Sequence, residues 1–318
     1  MKTTAFLATS IASLAVVGMA TAEPSIEASA TLGYSSGEAN FGPVSQDVNT
    51  VSLNFASTIK PAENFEFDFD IDMRGVDLSG TPAEAQVLGF AIAPRYTMQN
   101  GLIMGGFFEY TATDASPAVP SIATPSRQTL GVSLGMEREN WDAEGFVSRT
   151  ELKPITNPLP LDIRSLGIRG SYDLTDRFTV GGHLLRSEVT GPIPSLQAYS
   201  IGGAFFYDIN NNVSVFAGLS HQWADEFGVN VELTTPSIGV SYAQNFAGSG
   251  RPVIYSLEYA QTDLSVSGLG PVPNTDFQEI RIGMTIPLGS ATSSRPLNSN
   301  AYNIIDGAHD VTAAIFNF

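Results

Sequence analysis

Apolar and charged residues alternate without a break from Phe65 to Arg74. Phe65, Phe67, Phe69, Ile71 and Met73 fall on one parity, and Glu66, Asp68, Asp70, Asp72 and Arg74 on the other. Successive side chains of a strand point to opposite faces. The segment therefore predicts a strand with one apolar face and one face that carries four carboxylates and an arginine. A soluble sheet rarely crowds so much charge on one face of one strand, whereas a membrane barrel has lipid outside and water inside. The chain reads as all-β, a transmembrane antiparallel up-and-down barrel.

The same alternation predicts about fourteen strands: Ile26 to Tyr34, Val48 to Ile59, Phe65 to Val76, Val87 to Met98, Leu102 to Thr111, Gln128 to Glu137, Trp141 to Glu151, Ile163 to Leu174, Phe178 to Glu188, Gln197 to Asp208, Val213 to Trp223, Val231 to Ala243, Val253 to Gln261 and Phe277 to Leu288. Most have the length that a tilted strand needs to cross a bilayer, about 9 to 11 residues, against roughly 5 to 6 in soluble sheets. Connections rich in Asn, Asp, Gly and Pro, such as Pro61 to Asn64, Gln99-Asn100-Gly101 and Thr175-Asp176-Arg177, have the composition of hairpin turns. They alternate with longer stretches at Ser36 to Asp47, Asp77 to Gln86, Asp114 to Arg127, Leu152 to Asp162 and Asp263 to Asp276. Short turns on one side and long loops on the other are how outer-membrane barrels are built, the short side facing the periplasm.

On the apolar parity, Tyr96, Tyr172, Tyr207 and Tyr242 fall at the short-turn ends of their strands and Tyr34, Tyr110, Trp223 and Tyr259 at the long-loop ends. Such rings prefer the membrane interface, where the ring sits in the apolar zone and its polar atom reaches water.

The N-terminus has a basic start at Lys2, an apolar run from Ala5 to Met19 and small residues at Ala20-Thr21-Ala22. This pattern predicts a secretory signal over residues 1–22, and the run is too short for a membrane-spanning helix of about 20 residues. Its removal leaves 14 basic against 32 acidic side chains, a formal charge of about −18. That sign argues against nucleic acid, whose phosphates are neutralised by Lys and Arg. The absence of cysteine excludes a disulfide scaffold and a thiolate metal site.

Through this leader, the strand and turn rhythm over residues 25–288 and the closing segment Ile280 to Gly289, the chain resembles a Gram-negative outer-membrane β-barrel of the porin type. The resemblance implies passive transport across the outer membrane, and as partners it implies outer-membrane lipids, small solutes or ions and the barrel-assembly machinery; it leaves a homotrimer open. Such barrels often finish on an aromatic residue in the last strand. Here Leu288 closes the apparent last strand, and about thirty residues follow before Phe316-Asn317-Phe318. The organisation read from this is a leader over 1–22, a barrel over 23–289 and a tail over 290–318. The alternative makes Ala301 to Ile305 and Val311 to Phe318 two further strands, sixteen in all.

No catalytic constellation is visible, so no enzyme is expected. His183, His221 and His309 are scattered, and Ser220 and His221, as neighbours on a strand, point to opposite faces. No spacing suggests zinc, and Asp68, Asp70 and Asp72 lack the glycine and terminal glutamate of a calcium loop. Neither metal nor cofactor is expected.

The lumen is the expected functional surface, with Glu66, Asp68, Asp70, Asp72, Arg74, Arg95, Glu109, Arg169, Glu258 and Arg281 as candidate pore-lining residues. Small inward positions, among them Gly33, Gly181, Gly202 and Gly218, are expected to leave room for water. Pairing across Pro61 to Asn64 would set Glu66, Asp68, Asp70 and Asp72 opposite Thr58, Ala56, Asn54 and Ser52, with Arg95 near Asp68. These features suggest a cation-preferring diffusion channel for small hydrophilic solutes. Two other readings are a transporter of hydrophobic compounds, suggested by inward Ile103, Phe107, Phe146, Phe206 and Phe216, and a structural barrel without an open pore.

Overall fold

The structure is a computed structural model. It describes residues 24–42, 44–79, 84–115, 126–153, 161–191, 195–226, 229–245, 251–268, 275–291, 295–306 and 309. The expected leader and Val311 to Phe318 lie outside the described residues.

Fourteen strands follow one another: β1 (Ser25–Phe41), β2 (Val44–Ala62), β3 (Phe65–Leu78), β4 (Glu84–Thr97), β5 (Leu102–Ala115), β6 (Ser126–Arg138), β7 (Trp141–Lys153), β8 (Leu161–Thr175), β9 (Phe178–Thr190), β10 (Leu196–Asp208), β11 (Val213–Glu226), β12 (Val229–Asn245), β13 (Pro252–Ser267) and β14 (Thr275–Gly289). Each pairs antiparallel with its neighbours in sequence, and β14 pairs with β1 to close the barrel. The sixteen-strand alternative falls, because Ala301 to Ile305 lie in a helix, α1 (Asn300–Asp306).

The strands run from 13 to 19 residues and exceed the expected spans. Ser36 to Asp47, expected as a long loop, is ladder: Ser36 pairs with Asn49 and Phe41 with Val44. The stretch expected between Asp263 and Asp276 narrows likewise, since these two residues pair with each other. Beyond the apolar band both faces of a strand meet water. Pairing there continues without the alternation that makes a strand visible in sequence.

Outward faces carry large exposed apolar side chains such as Leu53, Met104, Val132, Ile168, Ile201, Val240, Leu257 and Ile282. Exposed tyrosines flank this band, Tyr96, Tyr172, Tyr207 and Tyr242 on one side and Tyr34, Tyr110 and Tyr259 on the other. Inward faces are polar, and hydroxyls pair across strands: Thr31 with Thr285 at 2.7 Å, Thr129 with Thr150 at 2.9 Å, Ser165 with Ser187 at 2.7 Å. The distribution is the inverse of a soluble protein's.

Three inward phenylalanines lie over glycines directly opposite on the next strand: Phe107 over Gly131, Phe146 over Gly167 and Phe216 over Gly239. A Cβ on any of these glycines would strike the ring. The glycines thus fix the rings flat against the wall.

The register of β3 on β2 differs from the expected one by two residues. Thr58 pairs with Asp68, Ala56 with Asp70, Asn54 with Asp72 and Ser52 with Arg74. The turn is tightened to residues 63–64, with an irregularity in the ladder between Ile59 and Ala62. Because the shift is even, every side chain keeps its face. It also brings Lys60 to 3.7 Å from Glu66.

Candidate functional site

The chain leaves the barrel wall at Gly289, whose φ is +64°. A Cβ there would collide with the Ile26 carbonyl, so only glycine makes this bend. The following segment turns into the lumen. Asn298 lies against Gly33 and Gly283, where an added Cβ would come within 2.7 Å and 2.8 Å of its side chain.

Ser299 then caps α1, its Oγ accepting the Tyr302 N–H at 3.2 Å. The Glu258 carboxylate of β13 accepts the Asn300 N–H at 3.0 Å. At the other end Arg169 of β8 donates to the Asp306 carbonyl at 2.7 Å, and His183 of β9 meets the Ile304 carbonyl at 2.8 Å. The wall thus places an acid at the positive end of the helix and a cation at its negative end.

Ala301, Ile304 and Ile305 share one helix face, and all three are buried. They rest on wall glycines. A Cβ at Gly218 would come within 2.7 Å of Ile304, at Gly202 within 3.0 Å of Ile304, and at Gly181 within 3.0 Å of Ile305. Phe206 and Phe216 complete this contact, with Arg295 stacked 4.6 Å above the Phe206 ring. His309, the last described residue of the segment, is a second anchor. Its ring stacks on Phe107 at 3.9 Å and meets Phe146 edge-on at 5.1 Å. Its Nδ1 pairs with Glu109, and its carbonyl accepts the Ser148 hydroxyl at 2.9 Å.

This C-terminal segment therefore forms a belt around the inner wall from β14 to β5. The glycines expected to hold water hold the belt instead. The inward phenylalanines that suggested apolar transport are its seat. Gly202→Val and Gly218→Val together should push α1 off the wall while the barrel stays closed. Overpacking of this kind costs about 1–3 kcal/mol, and it should raise the released population roughly 5- to 150-fold. Limited proteolysis of folded protein would show faster cleavage after Gly289; an unchanged rate would mean that α1 does not rest on these glycines.

Opposite the belt, a cavity of about 460 Å³ runs along β2 to β5. Of the candidate residues, Glu66, Asp68, Asp70, Asp72, Arg74, Arg95, Glu109 and Arg169 line it. Glu258 and Arg281 lie elsewhere on the wall. Glu258 is only 2% exposed beneath the start of α1, and Arg281 is buried between Glu258 at 3.6 Å and Glu279.

Most of the cavity charge is paired. Arg95 lies 2.8 Å from Asp68 and 3.7 Å from Glu66, Arg74 binds Asp72, and Arg169 lies 2.9 Å from Glu144. Arg127, 3.1 Å from Glu109, was hidden from the sequence reading because it stood at the edge of an expected loop. Asp70 has no ion pair among the described residues. From the belt, Tyr302 and Asp306 face the same space. Enclosure by the wall raises the Asp306 carboxyl above its ordinary value, while Arg169, Arg295 and Arg95 draw it down. The same enclosure, with Asp306 and Asp70 nearby, holds the Tyr302 phenol well above its ordinary value. Counting Glu27, Lys60 and Asp306, the cavity has seven acidic and five basic side chains, a formal balance of −2.

Among the described residues, no group of three or more His, Cys, Asp or Glu could hold a metal ion. Ser220 faces in, whereas His221 faces out, bonded to Thr234 at 2.8 Å and stacked on Trp223. The two cannot act together.

No protein-family model and no curated protein matches the chain. Solved structures do. The ΔS2S3 mutant of the monoaromatic hydrocarbon channel TodX is 12% identical with a TM-score of 0.50, over 84% of this chain and 91% of that one. The anion-selective porin from Comamonas acidovorans is 11% identical with a TM-score of 0.49, over 84% of this chain and 100% of that one. OccK2 from Pseudomonas aeruginosa is 11% identical with a TM-score of 0.42, over 83% and 98%. The chain has the fold of a porin-type outer-membrane barrel. At such identities the likeness is one of fold, and the choice of solute has to be argued from the lumen itself.

Proposed function

We propose that this chain is an outer-membrane channel through which small hydrophilic solutes diffuse along the β2 to β5 wall, past the belt, with cations favoured. The carrying observation is the charged cavity of about 460 Å³ between that wall and the C-terminal segment. A polar passage inside a barrel with an apolar exterior offers solutes a route that lipid denies them. The surplus of acidic over basic side chains supports cation preference, since a field of one sign inside low-dielectric walls concentrates counter-ions. The leader expected over residues 1–22 would deliver the chain to the outer membrane. Apolar transport finds less support, because Phe107, Phe146, Phe206 and Phe216 are buried.

Refolded protein in planar bilayers should give discrete ohmic conductance steps, and liposomes containing it should swell in small sugars. Absence of both would overturn the reading.

A further inference from the structure

Helix α1 has two faces. Ala301, Ile304 and Ile305 rest on the barrel, and Tyr302, Asn303 and Asp306, which the helical period places on the other side, line the cavity along β2 to β5. The bases of that cavity are engaged: Lys60 and Arg95 by Glu66 and Asp68, Arg74 by Asp72, Arg127 by Glu109 and Arg169 by Glu144. Two acids deep in the barrel are not. Asp70 on β3 and Asp306 on α1 are exposed to the lumen, and neither carboxylate makes an ion pair or a hydrogen bond among the described residues. One comes from the wall and the other from the belt.

A third acceptor lies beside them. Ala56 stands opposite Asp70 in the ladder, and Asn54, opposite Asp72, is one alternate step away along β2, about 6.6 to 6.8 Å. Asn54 lines the same cavity and is only 8% exposed. Its Nδ2 donates to Asp72 at 3.1 Å, whereas its buried Oδ1 accepts no hydrogen bond among the described residues. Buried acceptors ordinarily have a donor. This side of the cavity therefore offers acceptors in excess of donors.

We infer that the cavity binds the N–H-bearing head of a small organic cation, with Asp70 and Asp306 as its carboxylate acceptors and Asn54 as an amide acceptor beside them. As a statement about the solute it rests on the channel reading. A field of one sign attracts every cation alike. Oriented acceptors distinguish among cations, because charge-assisted hydrogen bonds form only with those that carry donors. Asp306 reaches the site only while α1 is seated on the wall, so the belt sets the chemistry of the passage as well as its width.

The test is titration calorimetry of the full, detergent-folded chain at pH 8 with methylammonium and tetramethylammonium. The two have equal charge, and only the first has N–H donors. Wild type should bind methylammonium at least roughly tenfold more tightly, the worth of about one hydrogen bond to a charged group. Asp70→Asn and Asp306→Asn, each alone, should bring the two affinities within about twofold of each other. Asp208→Asn takes the same charge from β10, on the parity of buried Phe206 but outside the cavity, and should keep the preference. The Asp306 change spares the belt, because Arg169 bonds the Asp306 carbonyl and not its side chain. Equal affinity for the two cations in wild type, or a preference that survives both the Asp70 and the Asp306 change, would overturn the site. Bilayer conductance of the same preparations judges the channel separately. Current without a methylammonium preference removes the site and leaves the channel, and a preference without current does the reverse.

Discussion

Truncation after Gly289 should yield a closed barrel whose single-channel conductance is at least about twice that of the full chain, because a fourteen-strand wall freed of its belt approaches the width of an aqueous pore. All fourteen strands lie within the part that is kept. Its closing pair runs from Glu27 opposite Gly289 to Phe41 opposite Thr275, upstream of the belt. The belt covers the wall from Gly33 and Gly283 through Glu258, Gly218, Gly202 and Arg169 to Phe107. Its loss would add that side of the lumen to the cavity along β2 to β5. Heat-modifiability would report closure, and bilayer recording the gain. Unchanged conductance would mean that the belt leaves the permeation path untouched, and failure to close would show that residues 290–318 take part in building the wall. A milder version is Glu258→Gln, which removes the charge at the first turn of α1 and leaves the other anchors. Brief excursions to the larger conductance are then expected on top of the normal level.

The barrel was legible because the sequence must satisfy two solvents at once. Phe65 to Arg74 spells out both faces residue by residue, and fourteen such segments with turn residues between them leave little choice of fold. The belt was harder to see. Its helix carries a signal, with Ser299 as a cap and Ala301, Ile304 and Ile305 at the spacing of one helix face. That face is only two turns long, and its partner is a set of glycines. A glycine in a strand looks the same whether it makes room for water, for a ring on the next strand or for a helix. Gly131 serves the ring and Gly218 the helix, and only the structure tells them apart. Arg127 was lost for a different reason: the alternation fades where the strand rises past the membrane, and with it fades the boundary of the strand.

Charge is the property most open to a decisive change. Asp68→Asn, Asp70→Asn and Asp72→Asn combined should reverse the ion preference, because seven acids against five bases become four against five. The formal balance moves from −2 to +1. The ion pairs sharpen this. Arg95 loses its 2.8 Å partner Asp68 and keeps Glu66 at 3.7 Å, and Arg74 loses Asp72. Asp70→Asn alone removes an acid with no ion pair among the described residues, and should shift the reversal potential toward zero without changing its sign. The contrast between the single and triple variants separates a field effect from a binding effect. At low ionic strength, where the Debye length is about 30 Å, the whole lumen lies within reach of these charges. At about 1 M it falls to about 3 Å and the difference should nearly vanish. The measurement is reversal potential across a salt gradient for wild type and both variants at each ionic strength. A wild type that favours anions, or a triple variant that still favours cations at low salt, would remove the acidic ladder of β3 from any account of selectivity.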